Sequence, residues 1–404
     1  MLPTNPDVLI IGAGTAGISA ARACAASGRT CIVLEAGPRT GGRCLTTDAL
    51  GPPLDLGATW LHAADRNPLT RFVTDAINHD EVRERHLWMG DRWANAAELA
   101  GFEAAEDAFH AAVEAAADGP DRAVADVIPQ GGFWDATIAH WQGAQIQARE
   151  VTELSLHDQF ANDLEEPNLL PRHGMGTLLS GLAAGLPIRL RAAVEQLDRS
   201  GNGVVAHGTF GSLAAGAAIV TVSTGVLAAG GIRFSPALPA SHAQAIDDLP
   251  MGLLTKFGFA ATDRFGIPPF HGVRRRVTAA TPRPMSWVMR PFDEDLLFGF
   301  VGGTLAWELS AGGPAACEAA ARAEFASIFG AGKLGRAVVS DWGENLLFCG
   351  SYSQARPGAA GARAVLAEPL GRLCFAGEAT HHGLAGTAGG AWAEGARAVC
   401  ALFS

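Results

Sequence analysis

The opening stretch of the chain constrains its fold more than any other. Asp7 to Ile11 is a short run of β-branched and leucine residues, the pattern of a strand buried on both faces. Gly12-Ala13-Gly14-Thr15-Ala16-Gly17 follows, an Ala-rich helical pattern then runs to Gly28, and residues 30–34 read as a second strand ending in Glu35. Gly12 permits a tight turn, Gly14 lets the backbone approach a pyrophosphate, and Gly17 lets helix and strand pack closely. The first helical turn, at Thr15 and Ala16, offers unpaired N–H groups and a partial positive charge. Glu35 lies 18 residues after Gly17, where a ribose hydroxyl needs an acceptor. An ordinary glycine-rich turn does not explain an acid at that position. The unit reads as the dinucleotide site of an α/β fold.

The later chain returns to this pattern. Residues 187–222 are strand-like, with Ser200-Gly201-Asn202-Gly203 as a hairpin turn and 218–222 as a further strand of the main sheet. Residues 372–376 form another strand, followed by a glycine break and a helix from about Ala388. Between these parts, residues 75–165 carry Ala, Glu, Asp and aromatics at helical spacing and predict a helical insertion. Residues 250–340 mix strands with one Ala/Glu helix near 314–328. The expected architecture is α/β: an interrupted Rossmann-type domain made of residues 1–74, 170–240 and 340–404. Residues 75–169 and 241–339 form a mixed α+β substrate domain.

Composition narrows the function. A net charge of −11 with no basic run longer than Arg274-Arg275-Arg276 argues against phosphate-backbone binding, so no nucleic-acid partner is expected. The segment 1–7 lacks the basic-then-apolar pattern of a signal peptide. No apolar stretch of membrane-spanning length is present and the last helical pattern runs to Ser404, so no membrane anchor is expected. The seven cysteines are scattered without a CxxC, as in a reduced cytoplasmic chain. The twelve histidines show no ligand spacing such as HExxH, and no metal is expected. Of 30 basic residues only Lys256 and Lys333 are lysine, which draws attention to both.

Further motifs then accumulate in order. Val33-Leu34-Glu35-Ala36 with Arg39 and Gly41-Gly42-Arg43 resembles the second flavin fingerprint of the flavin amine oxidases. Asp55-Leu56-Gly57-Ala58-Thr59-Trp60-Leu61-His62 with Asn67-Pro68 is similar to their polyamine oxidase branch. Ile219-Val220-Thr221-Val222 with Gly225-Val226-Leu227 resembles a further family run, with Ser223-Thr224 where Pro-Leu is usual. Met251 to Lys256 resembles the lysine-bearing strand. Gly350-Ser351-Tyr352-Ser353, Phe375-Ala376-Gly377-Glu378-Ala379-Thr380 and Gly386-Thr387 resemble the C-terminal flavin segment.

The resemblance implies FAD, a two-domain fold and oxidation of a C–N bond. It implies hydride transfer from the carbon beside nitrogen to the flavin, with imine hydrolysis and peroxide formation. The monoamine oxidases of this family tether their flavin through a cysteine just before the active-site tyrosine. Here that position is Ser351, so the FAD is expected to be non-covalent. Their second tyrosine is replaced by Thr387, which leaves Tyr352 without a partner. Both departures favour the polyamine oxidase branch.

For FAD, the resemblance implies that Glu35 accepts from the ribose and that Gly42-Arg43 face the pyrophosphate, a task suited to a guanidinium. It implies that residues 57–60 (Gly57, Ala58, Thr59, Trp60) run along the flavin and that the backbone of Val194 reaches the adenine. Gly377 and Glu378 should hold the phosphate and ribityl region, and Trp342 and Tyr352 should wall the flavin. The helix starting at Thr387 and Ala388 should aim its N-terminus at the flavin edge where charge develops. Strand alternation puts Phe257 and Phe259 on one face and Lys256 and Gly258 on the other. The resemblance implies that Lys256 meets the flavin, and its apolar flanks and the scarcity of lysine speak against a surface lysine that snorkels to solvent. His62 is the candidate to bind or deprotonate a substrate ammonium. Asp158, Glu165 and Glu166 are acids that a distal ammonium would find attractive, although a solvated acidic face reads equally well.

The expected partners are a small-molecule amine and O2, with no membrane, in a monomer or homodimer. An L-amino-acid oxidase would need an arginine clamp for the carboxylate, for which Arg274 to Arg276 and Arg290 are within reach. A dehydrogenase of the same fold and a non-catalytic flavin scaffold are the other readings.

Overall fold

The computed structural model describes residues 5–403, so the readings of residues 1–4 and of Ser404 lie outside it. Five parallel strands form the first sheet, in the order Leu373–Phe375, Ala217–Val220, Val8–Ile11, Cys31–Leu34, Ile188–Arg189. Its inner strands are apolar throughout because both faces are covered. Val8 and Ile10 pack on the helices Thr15–Ala26 and Ala388–Phe403 through Ala20, Ala21, Cys24, Ala398 and Val399. Leu9 and Ile11 point the other way, onto Leu197, Val204 and Ala206 of a second β layer. That layer contains the strands Val194–Asp198 and Val204–Gly208, the hairpin expected around residues 200–203. The two helices touch backbone to backbone: a side chain at Gly395 would collide with the Ala16 carbonyl, and Ser19 Oγ donates to Trp392 O at 2.6 Å.

The second sheet, the roof sheet, has six strands in the order Ala337–Val339, Leu254–Ala260, Leu296–Gly302, Ser286–Met289, Gly272–Arg275, Arg85–Trp88. Its pairs are antiparallel except the last, which is parallel. One face carries Phe257, Phe259, Val273 and Trp287 against Cys317, Ala321 and Phe325 of the helix Gly313–Phe329. The other face carries Phe298 and Phe300 and lies on Leu50, Leu54 and Leu56, beside Trp60 and Trp141. The α/β architecture with an interrupted Rossmann-type sheet is the expected one. No helix among the described residues is long and apolar enough to cross a membrane.

Two expectations need correction. The stretch 75–165 is not wholly helical: Ala76–Asn78 pairs with Leu169–Pro171, and Arg85–Trp88 is an edge strand of the six-stranded sheet. In Arg85-His86-Leu87-Trp88 only Leu87 is deeply buried, so a four-residue strand with polar neighbours leaves no clear period-two signal. The stretch 250–340 holds two helices and not one, since Gly303–Ala311 precedes Gly313–Phe329. The first of them, Gly-Thr-Leu-Ala-Trp-Glu-Leu-Ser-Ala, starts on a glycine and lacks the Ala/Glu repetition that marks the second.

Candidate active site

The glycine turn forms as a nucleotide cradle would require. Gly12 has φ +103° and its N–H bonds to Leu34 O at 2.8 Å, which reverses the chain directly after the first strand. Thr221 Oγ1 donates to Ile11 O at 2.8 Å and lies where a Gly12 side chain would be. The helix Thr15–Ala26 has no side-chain cap at Gly14, so its first N–H groups are free for a ligand. A Cβ on Gly14 would meet only Gly42 Cα, at 3.9 Å, and one on Gly377 would meet nothing within 4 Å. These glycines leave open the approaches a phosphate chain needs. The chain's residues therefore fit a flavin dinucleotide.

Glu35 stands at the end of its strand and accepts from Ala13 N–H and Gly37 N–H, both at 2.7 Å. A carboxylate has lone pairs left for a ribose hydroxyl. Arg191 and Ala192 donate their N–H groups to Gly37 O and Glu35 O, which lays the start of the Val194–Asp198 strand along the same edge. A cavity of about 180 Å³ is lined by Glu35, Gly37, Arg39, Gly42, Trp342 and Leu347, among others. Trp342 is buried, donates its indole N–H to Leu56 O at 2.9 Å and supports Gly57 from behind.

Lys256 is 4% exposed, so it does not snorkel to solvent. Its Nζ donates to Gly57 O at 2.6 Å and to Thr59 Oγ1, and lies 5.2 Å from the Trp60 ring centroid. The ladder that pairs Lys256 with Phe300 puts it on the face turned to residues 57–60. Burial lowers its pKa to about 8, against the pull of Asp55 and Cys44. Asp55 is buried as well and raised to about 6, chiefly by desolvation. It accepts from Thr46 Oγ1 and from Met175 N–H, so it also caps the helix Met175–Ala183.

His62 is braced from behind. Its Nδ1 lies 2.6 Å from Asn168 Oδ1, while Asn168 Nδ2 and N donate to the Asp80 carboxylate at 3.1 and 2.6 Å. A carboxylate only accepts, which fixes the amide with its oxygen toward His62. His62 Nδ1 must then carry the proton, and Nε2 is the free acceptor. Burial lowers the pKa of His62, partly offset by the Asn168 bond and the Asp80 charge.

The C-terminal segment closes the site. Ser351 Oγ donates to Leu254 O at 3.0 Å and accepts from Leu254 N–H at 2.9 Å, a structural use of this hydroxyl. Tyr352 donates its hydroxyl to Ile146 O at 2.6 Å, and Gly386 lies against its ring. Burial raises the Tyr352 pKa. Glu378 is buried between Arg43 Nη1 at 2.9 Å, Ser353 Oγ at 2.7 Å and Gly386 N–H at 3.2 Å. A carboxylate repels phosphate, so Glu378 serves by orienting Arg43, whose other N–H groups stay available. Thr387 caps the helix Ala388–Phe403 by accepting from Gly390 N–H at 2.9 Å.

Other candidates are placed elsewhere. Asp158 is 5% exposed and locked to Arg363 through two bonds of 2.6 and 2.7 Å, which removes it as an ammonium receptor. Glu166 is on the surface beside Arg83. Of the clamp arginines, Arg275 pairs with Glu324, Arg290 with Asp293, and Arg276 covers Phe133; Arg274 alone of the four reaches the wall of the site, where it stacks on Trp141. Lys333 is exposed and pairs with Asp263 at 3.2 Å. His381 accepts from Leu384 N–H within its own turn, and His382 is exposed.

Asn168, Asp80 and Asp55 were missed as partners of the site. Asp55 stood inside a quoted motif, but Asn168 and Asp80 carry no local signal. The π-helical stretch Trp141–Gln147, which brings Trp141 and Ile146 to the site, was also missed.

Residues 120–403 match the family described as flavin containing amine oxidoreductase, and residues 10–76 match the NAD(P)-binding Rossmann-like domain. Polyamine oxidase 4 of Oryza sativa subsp. japonica is 27% identical over 429 residues, covering 96% of this chain and 87% of its own length. Polyamine oxidase 2 of Arabidopsis thaliana is 28% identical over 450 residues, covering 98% and 87%. A solved structure of a putrescine oxidase double mutant with redesigned cofactor binding shares the fold, with a TM-score of 0.80 at 18% identity over 99% of both chains.

Proposed function

The chain belongs to the flavin-containing amine oxidoreductases, and on that premise we propose that it oxidises polyamines or related secondary amines with O2 as acceptor. The polyamine reading is supported by the two polyamine oxidases named above, each matched over 87% of its length. The observation that carries the chemistry is the delivery of a buried Lys256 onto Gly57 and Thr59, the segment expected along the flavin. Flavin bound there would supply a hydride acceptor for the amine carbon and a two-electron donor to O2, so that the products would be hydrogen peroxide and an imine that water splits to aldehyde and a smaller amine.

Gly12, Gly14 and the N-terminus of the first helix hold the pyrophosphate, Glu35 the ribose, and Arg43 a phosphate charge. A non-covalent FAD follows from the serine at 351. His62 keeps its neutral form because burial disfavours the cation, and its free Nε2 accepts a proton from the substrate ammonium. Asn168 and Asp80 hold that tautomer. Lys256, with its pKa near neutrality, donates or accepts a proton beside the 57–59 carbonyl and hydroxyl. Trp60, Phe298 and Phe300 keep water from this pocket.

The test is anaerobic bleaching of the yellow flavin band with spermine, spermidine, acetylated polyamines, monoamines and L-amino acids. Polyamines should bleach it fastest. Bleaching by amino acids alone would overturn the reading.

A further inference from the structure

Away from the site just described, the parallel pairing at the edge of the six-stranded sheet assembles a second group of ligating side chains. Gly272 pairs with Arg85 and Val273 with His86, and Gly272 N–H donates to Glu84 O at 2.8 Å. This register sets His271 opposite Glu84. By strand alternation Glu84, His86 and His271 share the face of Val273 and Trp287, the face opposite Lys256. His86 Nε2 and His271 Nδ1 are 2.9 Å apart, and Glu84 Oε2 lies 3.9 Å from His271 Nδ1. Among the described residues no other three His, Cys, Asp or Glu bring their ligand atoms within 4.8 Å of one another.

We propose that Glu84, His86 and His271 bind a divalent transition-metal ion, of which zinc is the reference, and that the ion clips the edge strand to the roof sheet. Tetrahedral zinc with bonds of about 2.0–2.1 Å sets two imidazole nitrogens about 3.3–3.4 Å apart, so the ion replaces the His86–His271 hydrogen bond with a small opening and turn of the two rings. Neutral imidazole and carboxylate together suit zinc, nickel and copper, whereas magnesium and calcium prefer oxygen alone. His271 is 11% and Glu84 75% exposed at the side chain, which gives one sheltered ligand and an entry path from solvent. Trp93 stands edge-on to His86 at 5.9 Å and closes the inner side. The strand Arg85–Trp88 leads into the helix Ala96–Ala116, so holding it holds the start of that helical insertion. Sequence spacing hides the site because its two histidines are brought together by register over a long separation.

The FAD-loaded protein, stripped with a chelator, is titrated with ZnCl2 by calorimetry, and thermal midpoints are read with and without zinc. Wild type should bind one equivalent at micromolar Kd or tighter. Saturating zinc should raise its midpoint by roughly 2 °C or more. His86→Ala and His271→Ala should each weaken binding about ten-fold or more and lose the zinc-dependent rise, with Glu84→Gln weakening it less. Flavin content and amine turnover without zinc should stay unchanged in all three. Absence of zinc binding below millimolar concentration in wild type, or unchanged affinity in both folded histidine variants, overturns the site. Either outcome leaves the amine oxidase reading standing.

Discussion

Around the glycine turn the groups aimed at a ligand are main-chain N–H groups of contiguous residues, freed by Gly12, Gly14 and an uncapped helix start. On the roof sheet and at His62 they are side chains, and each owes its position to a distant partner. Lys256 faces Gly57 and Thr59 because it pairs with Phe300, and His62 is oriented by Asn168 and Asp80. The first kind of site is written locally and tolerates little change in backbone space. The second is written in strand register and tolerates change in neighbours but not in the reactive group.

The sharpest way to break this contrast is Gly14→Val. An added Cβ meets only Gly42 Cα at 3.9 Å, so the fold should survive, but the side chain fills the approach to the first helix. Flavin content on purification should fall about 10²-fold, the value of two or so charge-assisted bonds. Full flavin content would show that main-chain approach is not what binds. On the roof side, Lys256→Met should keep its flavin and lose about 10²-fold in either reduction or reoxidation rate in stopped flow. Equal rates would remove Lys256 from the chemistry.

A smaller effect sharpens the role of the brace. Asn168→Ala should lower kcat/KM about 10-fold. Because the Asn168 bond holds the His62 pKa up against burial, the acid limb of the pH profile should move to lower pH. An unmoved limb would detach Asn168 from His62. The buried ammonium also has a thermodynamic signature. Lys256 is lowered from 10.5 to about 8 on folding, so between those values the unfolded chain binds more protons. Its contribution to stability therefore rises with pH across that window, by on the order of 3 kcal/mol. Urea unfolding of the apoprotein from pH 8 to 10.5 should show this increment in wild type and not in Lys256→Met. Lys333→Ala, at an exposed ion pair, should change stability by less than about 0.5 kcal/mol and leave rates alone.

The same contrast explains what was legible in the sequence. The strand, turn, helix and acid from Val8 to Glu35 follow from neighbours in the chain, and each element formed where its residues predict. Lys256 was legible because alternation with Phe257 and Phe259 assigns its face. Asn168 and Asp80 were not, since nothing near either residue says that an amide will sit between a carboxylate and His62. Asp158 looked available as an acid until Arg363, far along the chain, was found against it. The edge strand Arg85–Trp88 and the π-helical turn Trp141–Gln147 take their conformation from packing on the roof sheet and not from their own propensity. Which acids meet the distal end of a long amine is a side-chain question of the same kind.

The contact of Gly395 with Ala16, and of Ser19 with Trp392, has a consequence for how the protein is made. The turn that seizes the nucleotide emerges early from the ribosome, while the helix that braces it and the strand Leu373–Phe375 emerge late. The brace therefore reaches the turn only after all the intervening elements have been made, so the cradle matures late relative to the turn itself.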